Sequence, residues 1–315
     1  MIPHIHTLTG NLLWEQTLSF PTWAAGRTQR ARSAAFQVGG KGINVAKMLG
    51  RLGAPVTALC FPGGATGAEC EAWVRAQGIP CQAFPVAQAT RLGLVVRSPN
   101  QPETTFLGPD VPIEEAAALA CANYLDHCAD GDVLAICGSV PGWSSGGCAM
   151  LRAAVDRWIE RGPIVADTYG EPLRYLIERP LAWVKINRTE FDTLFDETER
   201  SEPVVNRLRL AAERWSPRAW IVTDGPRPVW FVEHGGAPAS LTPPQVKEVS
   251  STGSGDVLHG CLLHAVFHRQ TTLPEALQQG LPYAAANTAH ATVADFPLSG
   301  LPRFGSAEPG EETLR

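Results

Sequence analysis

Short apolar runs alternate with segments whose apolar residues recur at helical spacing along most of the chain. From residue 114 the alternation is regular, with a helix at 114–128 before a strand at 132–137 and a helix at 148–161 before a strand at 164–166. The same pattern predicts strands at 182–186, 219–223 and 229–232, and helices at 172–178, 189–195, 203–214, from about 256, and at 274–294 with an interruption at Pro282. Short buried strands alternating with helices indicate βαβ units, and therefore a three-layer α/β/α fold with a mainly parallel sheet.

The N-terminal part departs from this alternation in two places. Four predicted elements fit it, which are strands at 2–9 and 56–61 and helices at 43–52 and 68–77. The β-rich segments 11–38 and 90–108 do not fit, and we expect them to form strands set apart from the main sheet, as a small cover. The polar stretch from about residue 300 predicts a loosely held tail, 300–315, on a chain that otherwise forms a single domain, 1–315.

The composition argues against several classes of function. The 315 residues are 44% hydrophobic with a net charge of −5, and they include no basic stripe of the kind that nucleic-acid-binding proteins use. No apolar run reaches the roughly 18 residues that indicate a membrane-spanning helix, and the N-terminus lacks the pattern of a secretory signal. The eight cysteines include no Cys-x-x-Cys pair and several lie in apolar runs, so we expect reduced thiols and a cytoplasmic protein.

A glycine turn just before a helix is the first chemical signal. In Ser250-Ser251-Thr252-Gly253-Ser254-Gly255-Asp256 the two glycines let consecutive N–H groups point into one space at the positive end of the helix dipole, which makes an anion site. Asp256 places a carboxylate beside that site. Phosphoryl transfer to an alcohol needs donors for the phosphate charge and a base for the hydroxyl proton. The alternative is that Ser254 or Asp256 only caps the helix.

Two other stretches complete a pattern. Gly39-Gly40-Lys41-Gly42-Ile43-Asn44 is a second glycine turn at a helix start, and Lys185-Ile186-Asn187-Arg188-Thr189-Glu190 closes a strand with a lysine, an amide and a carboxylate. In this order, with Gly138-Ser139-Val140-Pro141-Gly142 and Asp167-Thr168 in support, they resemble the ribokinase/phosphofructokinase-B family of carbohydrate kinases over about residues 7–294. Within that family the likeness is to the 1-phosphofructokinase and tagatose-6-phosphate kinase branch.

The resemblance implies a kinase that uses ATP and Mg²⁺. Asp256 would be the catalytic base, and the N–H groups of Gly253, Ser254 and Gly255 would hold the transferred phosphoryl group. The nucleotide positions that the resemblance implies are Lys185, Asn187, Glu190, Thr223, Gly225, Thr252 and Asn287. Asn187 and Glu190 match an N-x-x-E motif that holds Mg²⁺ through water, although the same spacing is that of a helix capping box. Some members of the family bind a monovalent cation, and the sequence leaves open whether one binds near residues 246–252.

On the acceptor side, the resemblance implies that Gly39, Gly40 and Asn44 bind sugar hydroxyls. Glu15 stands where the family has an aspartate that binds the same hydroxyls, and we expect it to accept those hydrogen bonds in a reshaped pocket. The segments 11–38 and 90–108 match the lid that covers the sugar in the family, which is also the contact of a homodimer.

Four further residues match positions that bind the phosphate of a sugar-phosphate acceptor. They are Lys41, Arg91, Ser139 and Arg30, although two neighbouring arginines are alternatives to the last. Arginine suits such a position because its planar group bonds two phosphate oxygens at once.

We therefore expect a kinase that transfers the γ-phosphoryl group of ATP to a sugar phosphate and gives a bisphosphate. The expected acceptor is a ketohexose phosphate such as fructose 1-phosphate, fructose 6-phosphate or tagatose 6-phosphate. A kinase for an unphosphorylated sugar or a nucleoside is one alternative. A non-catalytic sugar-phosphate-binding protein of the same fold is another, and two departures from the family suit it: Glu15, and the loop 223–228, where Pro228 replaces a glycine of the nucleotide loop.

Overall fold

Thirteen strands form two sheets among residues 2–305, the part of the chain that this computed structural model describes. In chain order they are β1 (Ile5–Thr9), β2 (Leu13–Ser19), β3 (Ser33–Gly39), β4 (Val56–Cys60), β5 (Cys81–Ala83), β6 (Arg91–Ser98), β7 (Gln101–Leu107), β8 (Val133–Cys137), β9 (Ile164–Asp167), β10 (Trp183–Asn187), β11 (Ala219–Asp224), β12 (Arg227–Glu233) and β13 (Ala239–Leu241). The tail predicted for 300–315 lies, beyond residue 305, outside the described residues.

The helices lie between these strands for most of the chain. They are α1 (Lys41–Arg51), α2 (Gly64–Ala76), α3 (Glu115–Asp126), α4 (Ala149–Ile159), α5 (Glu171–Leu176), α6 (Arg188–Asp192), α7 (Glu197–Ser201), α8 (Val204–Arg214), α9 (Ser254–Leu263) and α10 (Leu273–Thr288), with a π-helical turn (His264–His268) directly after α9.

Nine strands form the main sheet, in the order β13-β12-β11-β10-β9-β8-β1-β4-β5. Every neighbouring pair from β11 to β5 is parallel, and only the edge pairs β11–β12 and β12–β13 are antiparallel. The prediction of a three-layer α/β/α fold with a mainly parallel sheet is confirmed. In such sheets a binding site lies beyond the carboxyl ends of the strands.

Alternating strand residues supply two separate cores. On β8, Val133 and Ala135 belong to the core under α1, α9 and α10, whereas Leu134 and Ile136 belong to the core under α3 and α4. Because successive side chains of a strand point to opposite faces, a strand buried on both faces is apolar throughout, as β8 is.

The other four strands form the small sheet, in the order β3-β2-β6-β7. These strands use the two β-rich segments that do not fit the helix–strand alternation. Helix α2 lies against β2 and β3, and the rings of Trp14 on β2 and Phe36 on β3 pack together in a tilted arrangement. Leu92 and Phe106 are more than half exposed, at 53% and 54%. A homodimer through this sheet stays a prediction.

The predicted break at Pro282 is wrong. Helix α10 continues through this residue to Thr288. Proline removes one backbone hydrogen bond and destabilises a helix interior by about 3 kcal/mol. The buried side chains of Leu277, Leu281 and Tyr283 pack in the core with α9, and this burial outweighs the loss.

Two properties of the described residues bear on the environment of the protein. Within residues 2–305, no helix is both long and apolar enough to cross a membrane. All eight cysteines are free thiols. The two sulfur atoms of Cys60 and Cys81 lie 3.6 Å apart, whereas a disulfide bond is about 2.05 Å long. A cytoplasmic location stays a prediction.

Candidate active site

Two cavities meet at the N-terminus of α9. The larger, of about 520 Å³, lies beyond the ends of β10 and β11, and the smaller, of about 170 Å³, lies between the main sheet and the small sheet. Lys41, Gly253 and Asp256 line both cavities. A group transferred from one cavity to the other would therefore pass these three residues.

The turn before α9 depends on its two glycines. Gly253 has a left-handed φ of 73°, and a Cβ atom there would overlap the side chain of Val293. A Cβ atom on Gly255 would lie 2.8 Å from Lys185 Nζ. Gly253 thus lets Val293 pack against the turn, and Gly255 lets a buried ammonium group approach its backbone.

The N–H groups of this turn are not equivalent. Among residues 2–305, no acceptor contacts the N–H groups of Gly253 and Gly255, whereas the N–H of Ser254 donates to Ser251 O at 3.3 Å. The expectation that all three N–H groups point into one space is therefore corrected for Ser254. Its hydroxyl lies 2.8 Å from Thr288 Oγ1 and helps to fix the turn on α10.

Asp256 is a buried carboxylate whose pKa is raised above that of an ordinary aspartate. It lies in the first turn of α9, is 6% exposed and accepts a hydrogen bond of 2.7 Å from Asn44 Nδ2. Burial, followed by repulsion from Asp167, raises the pKa of Asp256 to about 6, against the opposing effect of two nearby lysines. The carboxylate can therefore bind or release a proton near neutral pH.

Asp167 binds two lysines, one that lines the larger cavity and one that lines both cavities. This carboxylate ends β9 and is fully buried; its Oδ1 accepts from Lys41 Nζ at 2.8 Å and its Oδ2 accepts from Lys185 Nζ at 2.6 Å. Burial favours the neutral acid, but the charges of Lys185 and Lys41 hold the pKa of Asp167 well below its ordinary value. Lys185 is only 3% exposed, so its charge is not that of a solvated lysine at a strand end.

Asn187 and Glu190 form a capping box and also reach the larger cavity. The N–H of Glu190 donates to Asn187 Oδ1 at 2.9 Å, and the N–H of Asn187 donates to Glu190 Oε2 at 3.0 Å. Glu190 Oε1 accepts from Lys41 Nζ at 3.0 Å. The two residues therefore form the capping box that their spacing suggests, and they also line the cavity in which the resemblance places them.

The residues at this point fit a magnesium ion bound through water. No cluster of three or more His, Cys, Asp or Glu side chains within residues 2–305 is placed to hold a metal ion. Mg²⁺ commonly uses one or two carboxylates together with water and substrate phosphates rather than a complete protein cage. Glu190, on the wall of the larger cavity, can supply such a carboxylate.

The larger cavity contains most of the predicted nucleotide positions. Lys185, Asn187, Glu190, Thr223 and Gly225 line it, together with apolar residues that include Val229, Val246, Leu281, Ala284 and Ala285. Apolar residues together with a lysine and a glycine turn suit a flat base with a phosphate chain.

Two predicted nucleotide positions are corrected. Thr252 lines the smaller cavity instead, and its hydroxyl donates to Glu103 Oε1 of the small sheet at 2.7 Å. Asn287 is buried and lines neither cavity; its Nδ2 donates to Thr252 O and Ser254 Oγ, both at 3.0 Å. Because its polar atoms are used by the backbone around the turn, Asn287 positions the turn rather than a nucleotide.

The smaller cavity contains most of the predicted acceptor positions. Glu15, Gly39, Gly40, Lys41, Asn44, Arg91 and Ser139 all line it. Glu15 is 5% exposed and accepts a very short hydrogen bond from Gln37 Nε2 on the neighbouring strand. Burial raises the pKa of Glu15, against the opposing effects of Gln37 and Arg97. The cavity thus combines polar groups that can hydrogen-bond to hydroxyls with two cationic side chains, Lys41 and Arg91.

Both cations of the smaller cavity are already paired with carboxylates. Arg91 donates to Asp110 Oδ1 at 2.8 Å, and Asn11 Nδ2 donates to the same oxygen at 2.8 Å and to Ser139 Oγ at 2.9 Å. Lys41 is held by Asp167 and Glu190. An acceptor phosphate would have to compete with these carboxylates.

The placement of Arg30 is corrected. This residue is exposed in the loop between β2 and β3 and does not line either cavity. The resemblance places Arg30 near a basic position of the family, but here the residue lies in the loop at 20–32, outside the lining of both cavities.

Four residues that shape the site are given no role by the sequence. They are Asp167, Asp110, Arg97 and Glu103, each of which pairs with a residue from another part of the chain. Asp167 does have a signal, because a carboxylate at the carboxyl end of a buried parallel strand lies at the functional edge of the sheet. The other three lie in the small sheet or just after it, where no periodic pattern distinguishes them.

Comparison with known proteins identifies the family. The profile described as pfkB family carbohydrate kinase matches residues 10–298. A 1-phosphofructokinase of Borreliella burgdorferi is 25% identical over 93% of this chain and 94% of its own length. A tagatose-6-phosphate kinase of Staphylococcus epidermidis is 24% identical over 85% of this chain and 86% of its own length.

A solved structure has the same fold. Phosphofructokinase-2 from Escherichia coli, in complex with potassium, superposes with a TM-score of 0.82 at 22% identity, over 93% of this chain and 95% of that one. The match of the family profile to most of the chain agrees with this fold and with the two glycine turns described above. The chain belongs to the pfkB family of carbohydrate kinases, phosphotransferases whose acceptor is a hydroxyl group.

Proposed function

We propose that this kinase transfers the γ-phosphoryl group of ATP to a hydroxyl of a ketohexose phosphate and gives a bisphosphate. The observation on which this depends is the position of Asp256, at the junction of the two cavities, with a pKa of about 6. Relatives named 1-phosphofructokinase and tagatose-6-phosphate kinase support the acceptor class. Fructose 1-phosphate, fructose 6-phosphate and tagatose 6-phosphate are the acceptors of this class that we expect to compete.

Asp256 acts as the general base in this proposal. An acceptor hydroxyl in the smaller cavity donates its proton to the carboxylate as the oxygen bonds to phosphorus, and the bond from phosphorus to the leaving ADP oxygen breaks. Asn44 donates to Asp256 Oδ2 and so keeps the carboxylate oriented. The base is therefore held in place before the acceptor arrives.

Donors at fixed positions stabilise the negative charge of the transferred phosphoryl group. The unpaired N–H groups of Gly253 and Gly255 and the ammonium group of Lys185 converge at the turn. Lys41 lines both cavities and is placed to contact the group in transit. Bound Mg²⁺ would neutralise further phosphate charge beside Glu190. Donors fixed before the reaction stabilise a transition state more than solvent does.

A second candidate, a kinase for an unphosphorylated sugar, is favoured by one observation. Arg91, the cation expected to bind the acceptor phosphate, already donates to Asp110 at 2.8 Å. A free sugar would leave this pair intact and use Glu15 and Asn44 for its hydroxyls. A sugar phosphate would have to draw Arg91 from Asp110, whose carboxylate is partly exposed.

Measuring ADP release across an acceptor panel tests both candidates. The panel holds fructose 1-phosphate, fructose 6-phosphate, tagatose 6-phosphate, free hexoses, ribose and adenosine, each with ATP and Mg²⁺. We expect turnover with one phosphorylated ketohexose. In Asp110→Asn, which leaves Arg91 without its carboxylate, we expect the KM of that acceptor to fall about two- to fivefold, in keeping with the strength of an exposed ion pair.

The same panel separates the alternatives. Turnover confined to unphosphorylated acceptors, with no change in KM in Asp110→Asn, would establish the second candidate. Binding of a sugar phosphate without turnover of any acceptor would make the chain a non-catalytic binder. A rise in the melting temperature with the sugar phosphate but not with the free sugar would report that binding.

The pH profile of the reaction should have an acid limb near pH 6. Below the pKa of Asp256 the base becomes protonated, so kcat/KM should fall about tenfold for each pH unit. The bond from Asn44 lowers the pKa of Asp256, so Asn44→Ala should move the limb to higher pH. Initial rates of both proteins between pH 5 and 9 would check this.

The movement of the acid limb in Asn44→Ala distinguishes titration of Asp256 from titration of the substrates. Phosphate groups of the substrates also titrate near pH 6, but a substitution in the protein does not change their pKa in solution. An acid limb at the same pH in Asn44→Ala as in the wild type would assign it to the substrates rather than to Asp256.

A further inference from the structure

Two residues of the small sheet bond directly to the chain around the glycine turn. Arg97 on β6 donates from Nε to Glu103 Oε2 on β7 at 2.5 Å, from Nη1 to Ala291 O at 2.6 Å and from Nη2 to Ser250 Oγ at 3.0 Å. Glu103 Oε1 accepts from Thr252 Oγ1 at 2.7 Å and from Ser250 Oγ at 3.3 Å. All three nitrogens of Arg97 and both carboxylate oxygens of Glu103 are used.

The segments that receive these bonds flank the turn on both sides. Ser250 and Thr252 immediately precede Gly253, and Ala291 precedes Val293, whose side chain packs against Gly253. The Arg97–Glu103 pair therefore spans from the sheet that covers the smaller cavity to the donors at the junction. It is largely buried, with side-chain exposures of 19% and 17%.

A monovalent cation does not fit at this point. Two oxygen atoms of these segments, Ser250 Oγ and Ala291 O, both accept hydrogen bonds from the Arg97 guanidinium. An ion on the same oxygens would lie within a few ångströms of a fixed positive charge, and the two would repel each other strongly in a partly buried place. Arginine remains charged at every pH of interest.

We propose that Arg97 and Glu103 are positioning residues for phosphoryl transfer. Their bonds to Ser250, Thr252 and Ala291 fix the turn at Gly253 when the small sheet covers the acceptor, and the Arg97 guanidinium supplies the positive charge that an ion would otherwise give this loop. The effect reaches the reacting atoms through the N–H groups of the turn, and neither residue touches them. This inference rests on the proposed kinase function.

The test compares Arg97→Met with the wild type in potassium chloride and in tetramethylammonium chloride at equal ionic strength. Methionine keeps an unbranched side chain about as long as the aliphatic part of arginine, and it removes the guanidinium group with its charge. A misplaced donor lowers the chemical step, so we expect kcat to fall about ten- to a hundredfold, with the KM of the acceptor changed less than about threefold. The wild type should be equally active in both salts, whereas potassium should partly restore the kcat of Arg97→Met.

The melting temperature provides a readout that does not require turnover. Potassium chloride should raise it above the value in tetramethylammonium chloride for Arg97→Met, where the oxygens are free, and not for the wild type. Arg214→Met removes the guanidinium of another Arg–Glu pair, with Glu199, away from both cavities, and should behave as the wild type in every measurement.

Three results would overturn the inference. They are a wild-type kcat or melting temperature that depends on potassium, an Arg97→Met that turns over as fast as Arg214→Met, and a loss that affects only the KM of the acceptor. If Arg97→Met does not fold, Thr252→Val, which removes only the bond to Glu103, should still lower kcat with little change in KM. A wild type that turns over no acceptor would refute the kinase proposal, while the comparison of melting temperatures would still decide the role of Arg97.

Discussion

Replacing Asp256 with asparagine should lower kcat by about 10² to 10⁴, the usual contribution of a general base. Asparagine has nearly the same shape, and its side-chain oxygen can still accept the bond from Asn44, but it cannot take the proton of the acceptor hydroxyl. The KM values for ATP and the acceptor should stay within about threefold of the wild type. ADP release with the acceptor found in the panel, at saturating ATP and Mg²⁺, would measure the loss.

Stability provides the control for this variant. Burial raises the pKa of Asp256 above its unfolded value, so the ionised carboxylate destabilises the folded protein at pH 8. This penalty declines as the pH falls below about 6 and is gone only below the ordinary pKa of an aspartate, about pH 4. Asp256→Asn should therefore melt at or above the temperature of the wild type at pH 8. A variant that keeps more than a tenth of the wild-type kcat would show that another group accepts the proton.

Replacing Asp167 with asparagine should affect both stability and activity. Lys185, which is 3% exposed, and Lys41 would lose the carboxylate that binds both of them. Removing one partner of a buried ion pair costs about 3–5 kcal/mol, because the remaining charge stays buried without compensation. Denaturant unfolding at pH 7 should show a loss of that size, and kcat should fall as well, because both lysines lose their fixed positions.

The double variant Asp167→Asn with Lys185→Met separates the two effects. Removing the stranded ammonium group should restore a large part of the free energy of unfolding without restoring activity. Because the pKa of Asp167 is lowered by its lysines, the wild type should keep this stabilisation down to the ordinary pKa of an aspartate, about pH 4, and lose it only below. Equal stability of Asp167→Asn and the wild type at pH 7 would mean that the two lysines find other partners.

Much of the fold follows from local patterns in the sequence. The strand Val133–Cys137 is predictable because five consecutive apolar residues between two helices have few other places to go. The small sheet is predicted only as strands that do not fit the alternation, and the short elements β5, β13 and α7 have too few residues to give a periodic signal. At Pro282, tertiary packing overrides a local preference.

The site is predictable where its chemistry lies in contiguous residues. The turns at Gly40 and Gly253 show their glycines, their helix starts and their charged residues together in the sequence. The residues that pair with them cannot be recognised from the local sequence. The sequence gives no sign that Asp110, 19 residues from Arg91, neutralises it, or that Glu103 meets Thr252 across 149 positions of the chain. Such pairs depend on how the two sheets pack.

The sharing of one carboxylate by two lysines has a consequence for the kinetics. Lys185 lines the larger cavity, which we propose binds the nucleotide, and Lys41 also lines the smaller cavity, which we propose binds the acceptor. A phosphate that draws one ammonium group away from Asp167 leaves the full charge of the carboxylate to the other, so the first substrate to bind changes the environment that the second one meets. Such coupling is reciprocal, because each ligand must alter the affinity of the other by the same factor. The two substrates are therefore expected to bind with heterotropic cooperativity even within a single subunit.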